Sequence, residues 1–150
     1  MKKKSGSPRA PKARVAAKKS PAASTPVAAA APIEIPAIGA VFRGGKYAGI
    51  SLENERRVAL VLLAGEIEGT HAEAQAFAKK QDGVLPSRID QLVLLKNLKR
   101  EFKARWYWSD EKHAELGEYA WIQHFGDGDQ DFLHQSNEYL AVAVRRVPIQ

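Results

Sequence analysis

Hydrophobic alternation begins abruptly at Ile33-Glu34-Ile35-Pro36-Ala37-Ile38, and the residues before it carry no aromatic side chain and no bulky periodic face. Pro36 makes this first stretch extended rather than helical, because the residue before a proline is held out of the helical region. The boundary of a folded domain is therefore expected near Ile38–Gly39. Val41-Phe42-Arg43 reads as a short strand that Gly44-Gly45 turns into a second one, Tyr47–Ser51. Val58-Ala59-Leu60-Val61-Leu62-Leu63 is apolar on both faces, as a central strand requires.

Two helices follow. Thr70 with Glu73 three residues later forms a capping-box signature, Ala74, Phe77 and Ala78 form the buried stripe, and Asp82-Gly83 stops the helix. Ser87 and Asp90 repeat the signature, and Ile89, Leu92, Val93, Leu95, Leu98 and Phe102 supply the second stripe. Lys96, Lys99, Arg100 and Lys103 fall on the opposite side. The remainder is rich in strand pattern: Trp106–Ser109, Tyr119–Phe125, Phe132–Gln135 and Tyr139–Val147. In the last of these Leu140, Val142 and Val144 point one way and Ala141 and Ala143 the other, the small pair allowing close approach of a neighbouring layer. The pattern predicts an α+β class: two helices on a twisted, mainly antiparallel sheet, with no internal repeat.

Charge changes the picture only at the N-terminus. Of 23 basic and 17 acidic residues, eight (Lys2, Lys3, Lys4, Arg9, Lys12, Arg14, Lys18, Lys19) and one (Glu34) lie in residues 1–38, leaving 15 and 16 in residues 39–150. The net charge of +6 thus belongs to a Lys/Ala/Pro-rich arm, and the domain is nearly neutral. A segment of this composition buries too little apolar surface to offset its ordering entropy, so residues 1–38 are expected to be a disordered basic arm. The absence of cysteine excludes disulfides, thiolate nucleophiles and Cys-ligated zinc, and leaves the redox compartment undecided. The arm makes a poor secretory signal, and the longest later apolar run, Val58–Gly65, is too short to span a bilayer. The expectation is a soluble protein made in the cytoplasm.

Leu85-Pro86-Ser87-Arg88, Trp106-Tyr107-Trp108-Ser109, Tyr119-Ala120-Trp121 and Ala143-Val144-Arg145-Arg146-Val147 form a spaced set. It resembles a phage- and prophage-borne domain family of unknown function with the signature L-P-T-R … W-Y-W-S-S … A-W … G-x-G-x-Q … V-R-x-V-R. That family is similar to the C-type-lectin-like fold of phage tropism determinants and of formylglycine-generating enzymes, a fold whose first and last strands pair. The resemblance spans residues 39–149. It implies Trp108 and Trp121 in the core, and a phage virion-associated protein: a decoration, tail or attachment component. Ser87 and Asp110 replace the usual Thr and second Ser. No Glu-Pro-Asn, Gln-Pro-Asp or Trp-Asn-Asp triplet supports a calcium-dependent sugar site, and the cysteine on which the formylglycine-generating activity relies is missing.

Several candidates carry chemistry. The eight arm cations suit either an anchor on a partner or salt-sensitive binding to nucleic-acid phosphates, and no aromatic residue is interleaved among them for base stacking. Asp127, Asp129, Asp131 and Glu138 have the spacing of a calcium loop, but Phe132 stands where the sharp turn needs glycine. Asp127-Gly128 is instead a two-residue hairpin signal that sets His124 opposite Asp131 and Trp121 opposite His134. Trp106, Trp108 and Trp121 suit either a stacking platform or the core. The basic side of the second helix reads as a solvated face near the helix C-terminus. Ser109 and Ser136 lack a nucleophile elbow, so the domain is read as a non-enzyme needing no cofactor or metal. A ligand surface would use Gln123, Asp127, Asp129, Asp131, His134, Asn137 and Tyr139, polar groups on or beside the turn. Expected partners are other virion proteins, or a host-surface protein or glycan, with the chain a homo-oligomer or part of a larger assembly in the virion. The alternative is a nucleic-acid-associated protein that binds through its arm.

Overall fold

The computed structural model describes residues 33–149; the eight arm cations lie outside the described residues, together with most of the segment expected to be disordered. The N-terminal part is a meander of β1 (Val41–Phe42), β2 (Gly45–Glu53) and β3 (Arg56–Leu62). Both of its turns take positive φ at both central positions, Arg43 and Gly44 (51° and 88°) and Asn54 and Glu55 (51° and 66°), the conformation whose twist matches a hairpin. The first turn therefore sits one residue earlier than the Gly44-Gly45 expected from the sequence. β3 is the central strand: Val58 through Leu62 are all buried.

Next come β4 (Ile67–Gly69), α1 (His71–Lys80), α2 (Arg88–Leu98) and a single 3-10 turn at Lys99–Glu101. Both capping boxes form as the spacing predicted. Thr70 Oγ1 accepts from Glu73 N, and Ser87 Oγ from Asp90 N, while each acid side chain returns to the cap's own N–H. The C-terminal half holds β5 (Trp106–Lys112), β6 (Tyr119–His124), β7 (Gln130–His134), β8 (Tyr139–Ala141) and β9 (Val144–Pro148). No helix among the described residues is long and apolar enough to cross a membrane.

The strands form two sheets rather than one. Sheet one has the order β9-β3-β2-β1 and sheet two the order β4-β8-β5-β6-β7; every pairing is antiparallel except a parallel contact of β5 with β8 at Tyr107 and Leu140. The stretch Tyr139–Val147, expected as one strand, is two. It leaves sheet two after Ala141, crosses at Val142-Ala143 and enters sheet one at Val144, where Val84 exchanges two backbone hydrogen bonds with Val144 (2.9 and 2.8 Å). The last strand pairs with β3 and not with the first strand, which lies at the far edge of sheet one. The all-apolar Val58–Leu62 segment needs a neighbour on both sides, and β9 provides the second one.

Helix α2 is the wedge between the sheets. Leu94 and Leu98 join Ala48, Leu60, Leu62 and Val144 of sheet one and Tyr107, Phe125 and Leu140 of the second half in one core cluster, with Val142 at the crossing. Leu140, Val142 and Val144 thus share a core as expected, while Ala141 and Ala143 are fully buried on the other side. The helix is rotated from the stripe read in the sequence: Ile89 and Leu92 are 46% and 49% exposed, whereas Asp90 and Gln91 are fully buried. The cause is polar. Asp90 Oδ2 accepts from Ser87 N at 2.9 Å and from Arg146 Nε at 2.9 Å, with Arg146 Nη2 2.7 Å away, while Asp90 Oδ1 accepts from Ser51 Oγ. Gln91 Nε2 donates to the carbonyls of Tyr107 and Trp108, both at 3.2 Å.

Helix α1 covers the other side of sheet two. Ala74 and Ala78 are buried as predicted, Phe77 is half-buried, and His71 at the first helical position is fully buried. His71 Nε2–H donates to the Ser109 carbonyl at 2.9 Å, and its ring meets Trp108 edge-on. Trp108 is a core residue, its Nε1–H satisfied by the Gly69 carbonyl at 2.9 Å. Tyr107 points to the other face of its strand, into the core cluster around α2: it is fully buried, accepts from Lys103 N at 3.0 Å and donates to Glu66 Oε1 at 3.2 Å.

Burial, and then the Glu66 charge, push the Tyr107 phenol up to about 12, against the opposing Lys103 N–H. The folded state therefore holds this group neutral where the unfolded chain, with its ordinary value of 10.0, ionises. Its stabilising contribution is complete below that value and is lost as pH rises toward about 12. Urea denaturation across the alkaline range should show a steeper loss of stability for the wild type than for Tyr107→Phe; equal slopes would contradict the assignment.

Candidate ligand-binding face

The β6–β7 hairpin carries most of the residues singled out in the sequence, but in a different register. Tyr119 pairs with His134, Trp121 with Phe132 and Gln123 with Gln130, so the loop holds four residues, Phe125 to Gly128, where a two-residue Asp127-Gly128 turn was expected. His124 consequently lies opposite Asp129, not Asp131, and Trp121 opposite Phe132, not His134. Gly128 takes positive φ (87°) as the short turn would need, but Asp127 does not. Phe125 is the physical reason: it is 2% exposed and packs between Phe102 and Tyr107, which commits it to the core and widens the loop around it. Because the slip is two residues, each side chain keeps its predicted face.

The seven expected ligand residues do not form one surface. Gln123 is fully enclosed, where its Nε2 donates to the Gln91 carbonyl at 2.9 Å and its Oε1 accepts from Gln130 Nε2 at 2.8 Å; it joins the sheet to α2 and offers nothing to a ligand. His134 shares its side of the sheet but is half-exposed. Asp131 and Tyr139 belong to the opposite side, where Tyr139 packs edge-on against Trp108. Asp127 and Asp129 are exposed at the tip, with Asp127 Oδ1 accepting from Asp129 N at 3.0 Å. Asn137 is exposed and its Nδ2 donates to the His134 carbonyl at 3.1 Å. His124 and His134 face opposite sides of the sheet, and among the described residues no three His, Asp or Glu side chains gather as a metal site.

What the fold does bring together is an aromatic face on the α2 side of the hairpin. Trp121 is half-buried here rather than in the core. It meets Phe132 edge-on at 5.1 Å and lies parallel to the His113 ring at 5.7 Å, while the Arg88 guanidinium sits 3.5 Å from its ring centroid. Tyr119 continues the row, edge-on to both Phe132 and His134. Arg88 is fixed from two further directions: its Nε donates to Gln130 Oε1 at 3.0 Å, and its backbone N–H is capped by Glu111 Oε2 at 2.9 Å. Glu111 reaches that position because β5 bulges between Trp108 and Lys112, with Asp110 N bound to the Pro86 carbonyl at 2.8 Å. Partial burial raises the Asp110 carboxyl above its ordinary value, with Arg146, Gln75 and His71 opposing.

The alternation Tyr119, Trp121, Gln123 and Gln130, Phe132, His134 contains this face, and reading it required only the correct register. The share taken by His113 and Arg88 has no such signal, since His113 comes from the β5–β6 connection and Arg88 from the first turn of α2. The serines differ from one another. Ser109 is fully buried, whereas Ser136 Oγ lies 2.8 Å from His134 Nδ1, with Glu118 Oε1 3.2 Å from Nε2, on an exposed turn. Lys96, Lys99, Arg100 and Lys103 are all exposed at the far end of α2, as a solvated face requires, and Lys103 pairs with Glu66 at 3.0 Å.

Arg88→Ala should lower stability by about 1 kcal/mol through the lost cation–π contact and stem packing, with Trp121 emission shifting to the red in fluorescence. Arg88→Lys should recover only part of it, because an ammonium cannot stack as a planar guanidinium does. Full recovery by lysine would show that charge alone matters. Compared with protein-family models and with curated proteins, the chain matches none of them.

Proposed function

We propose that residues 39–150 form a non-enzymatic binding module of C-type-lectin-like fold, carried by a phage or prophage virion protein, with residues 1–38 as its anchor. The module binds a protein or glycan of the host surface, or of the particle, through the outer hairpin. The observation that carries the binding role is the row of half-buried rings, Tyr119, Trp121 and Phe132, flanked by Arg88, His113 and His134. Rigid rings with polar neighbours supply contact area at small entropic cost, which is why aromatic residues and arginine dominate binding surfaces.

The virion setting rests on the resemblance of the four sequence segments, and their convergence supports treating them as one signature. Leu85 is buried, Ser87 and Arg146 hold Asp90, Arg88 stacks on Trp121, and Trp108 fills the core beside α1. A second reading, phosphate binding by the arm, draws on eight cations against one acid in residues 1–38.

One set of proteins separates the two. Full-length chain, a variant lacking residues 1–38, and a Trp121→Ala/Phe132→Ala variant are compared on bacterial envelopes, purified particles and duplex DNA. The proposal expects the double substitution to weaken envelope or particle binding at least about tenfold with its circular dichroism preserved, and the truncated chain to keep the envelope interaction. Binding to DNA alone, lost on truncation, would replace the proposal with the second reading.

A further inference from the structure

Three of the four histidines do the same unusual thing. His113 Nδ1 accepts backbone N–H bonds from Glu115 and Leu116 (3.1 and 3.0 Å), His124 Nδ1 from Gly126 (3.0 Å), and His134 Nδ1 from Ser136 (3.1 Å). Nδ1 hangs on the γ-carbon, as does the side-chain oxygen of Asn or Asp, so an imidazole in this pose imitates the Asx turn, in which a side-chain acceptor captures the N–H two residues on. Asp127 with Asp129 N makes the genuine article within the same loop as His124, at 3.0 Å. An Asx oxygen can accept at any pH near neutrality. An imidazole accepts at Nδ1 only while neutral, because its protonated form has donors at both nitrogens and no free lone pair.

We infer that His113, His124 and His134 are proton-sensitive latches that close the three loops framing the outer hairpin when neutral and release those backbone amides when protonated. The three loops are the β5–β6 connection, the β6–β7 tip and the β7–β8 connection. The charges around each ring decide what protonation does next. His124 has Asp127 Oδ1 3.6 Å from Nδ1, with Asp129 on the same loop and Arg105 beside it already paired with Glu68 at 2.7 Å. His134 has Glu118 3.2 Å from Nε2 and the Ser136 hydroxyl 2.8 Å from Nδ1, which must turn from donor to acceptor. At His124 the new Nδ1–H meets a carboxylate, so the ring trades a backbone partner for an acidic one; at His134 Glu118 already accepts from Nε2, and the new Nδ1–H goes to the Ser136 hydroxyl.

His113 differs. Among the described residues no carboxylate lies within ion-pair distance of it, and the Arg88 cation shares the Trp121 ring on which it stacks, with Phe132 on its other flank and Lys112 and Glu115 adjoining in sequence. Its two captured amides belong to exposed residues and pass to water, so the β5–β6 loop loosens while the bonds of His113 N to the Tyr119 carbonyl and of Tyr119 N to the Leu116 carbonyl, both 2.8 Å, remain. Imidazole is the side chain that ordinarily changes charge between about pH 5 and 8, so mild acid is the condition that opens the latches. The consequence for ligand capture rests on the binding face proposed above; the latch itself does not.

The test measures amide hydrogen-exchange protection, corrected for the intrinsic pH dependence of exchange, on the full chain at about pH 8 and about pH 5.5. Protection at Glu115, Leu116, Gly126 and Ser136 should fall about fivefold in acid, the change expected for the loss of one ordinary hydrogen bond, while the amides of β3 stay unchanged. In His113→Asn the side-chain oxygen keeps the turn but cannot titrate, and protection at Leu116 should become independent of pH. Unchanged wild-type protection between the two conditions would overturn the inference, as would a His113→Asn variant that loses protection in acid to the same extent as the wild type. The readout is independent of ligand, so it stands or fails separately from the binding proposal.

Discussion

One carboxylate with no exposure to water holds three parts of this chain in place. Asp90 takes donors from Ser87 at its own helix cap, from Ser51 in β2 and from Arg146 in β9. A buried charge is costly unless it is paired and its remaining lone pairs are satisfied. Here four donors surround it, two of them from a guanidinium whose side chain is itself only 13% exposed. The arrangement leaves α2 one rotation about its axis. Any other would bury Ile89 or Leu92 and strand the carboxylate, and the observed one leaves both of those residues in contact with solvent.

From that constraint the rest of the architecture follows by packing. With Asp90 turned toward sheet one, Gln91 turns toward sheet two and binds its backbone, and Leu94 and Leu98 fill the gap between the sheets. Arg88 is then placed over Trp121, and the Gln130 and Gln123 amides join hairpin to helix in series, ending on the Gln91 backbone carbonyl. The aromatic face is thus built on a rigid support, while histidine acceptors add to the backbone bonds that close the loops around it. Rigid rings and adjustable loops are the combination that a binding surface needs.

Much of this was legible in residue order. The two capping boxes, the doubly buried β3 and the α+β class all rest on local signals that tertiary structure did not override, whereas the resemblance that put Trp108 in the core put Trp121 there too, and only Trp108 is fully buried. The misreadings have a common source, since each local pattern is decided by partners distant in sequence. Periodicity put Ile89 and Leu92 inside because nothing local announces that Asp90 has partners 39 and 56 residues away. The Asp127-Gly128 pair promised a short turn, but Phe125 was needed in the core. Tyr139–Val147 alternates well enough for one strand, and its passage between two sheets depends on Val84, far off in sequence. His113 reaches the candidate face from the β5–β6 connection and Arg88 from the start of α2, which no spacing rule joins.

The central claim is that the Asp90–Arg146 pair fixes the orientation of α2, and a double-mutant cycle tests it most directly. Asp90→Asn, Arg146→Met and the combined variant are unfolded in urea beside the wild type. Each single change should cost about 3–5 kcal/mol by leaving a buried group without its partner. The combined variant should lose at least about 2 kcal/mol less than the sum, as expected for residues in direct contact. Single losses below about 1 kcal/mol that simply add would mean that the carboxylate is a passenger, and that apolar packing alone orients the helix.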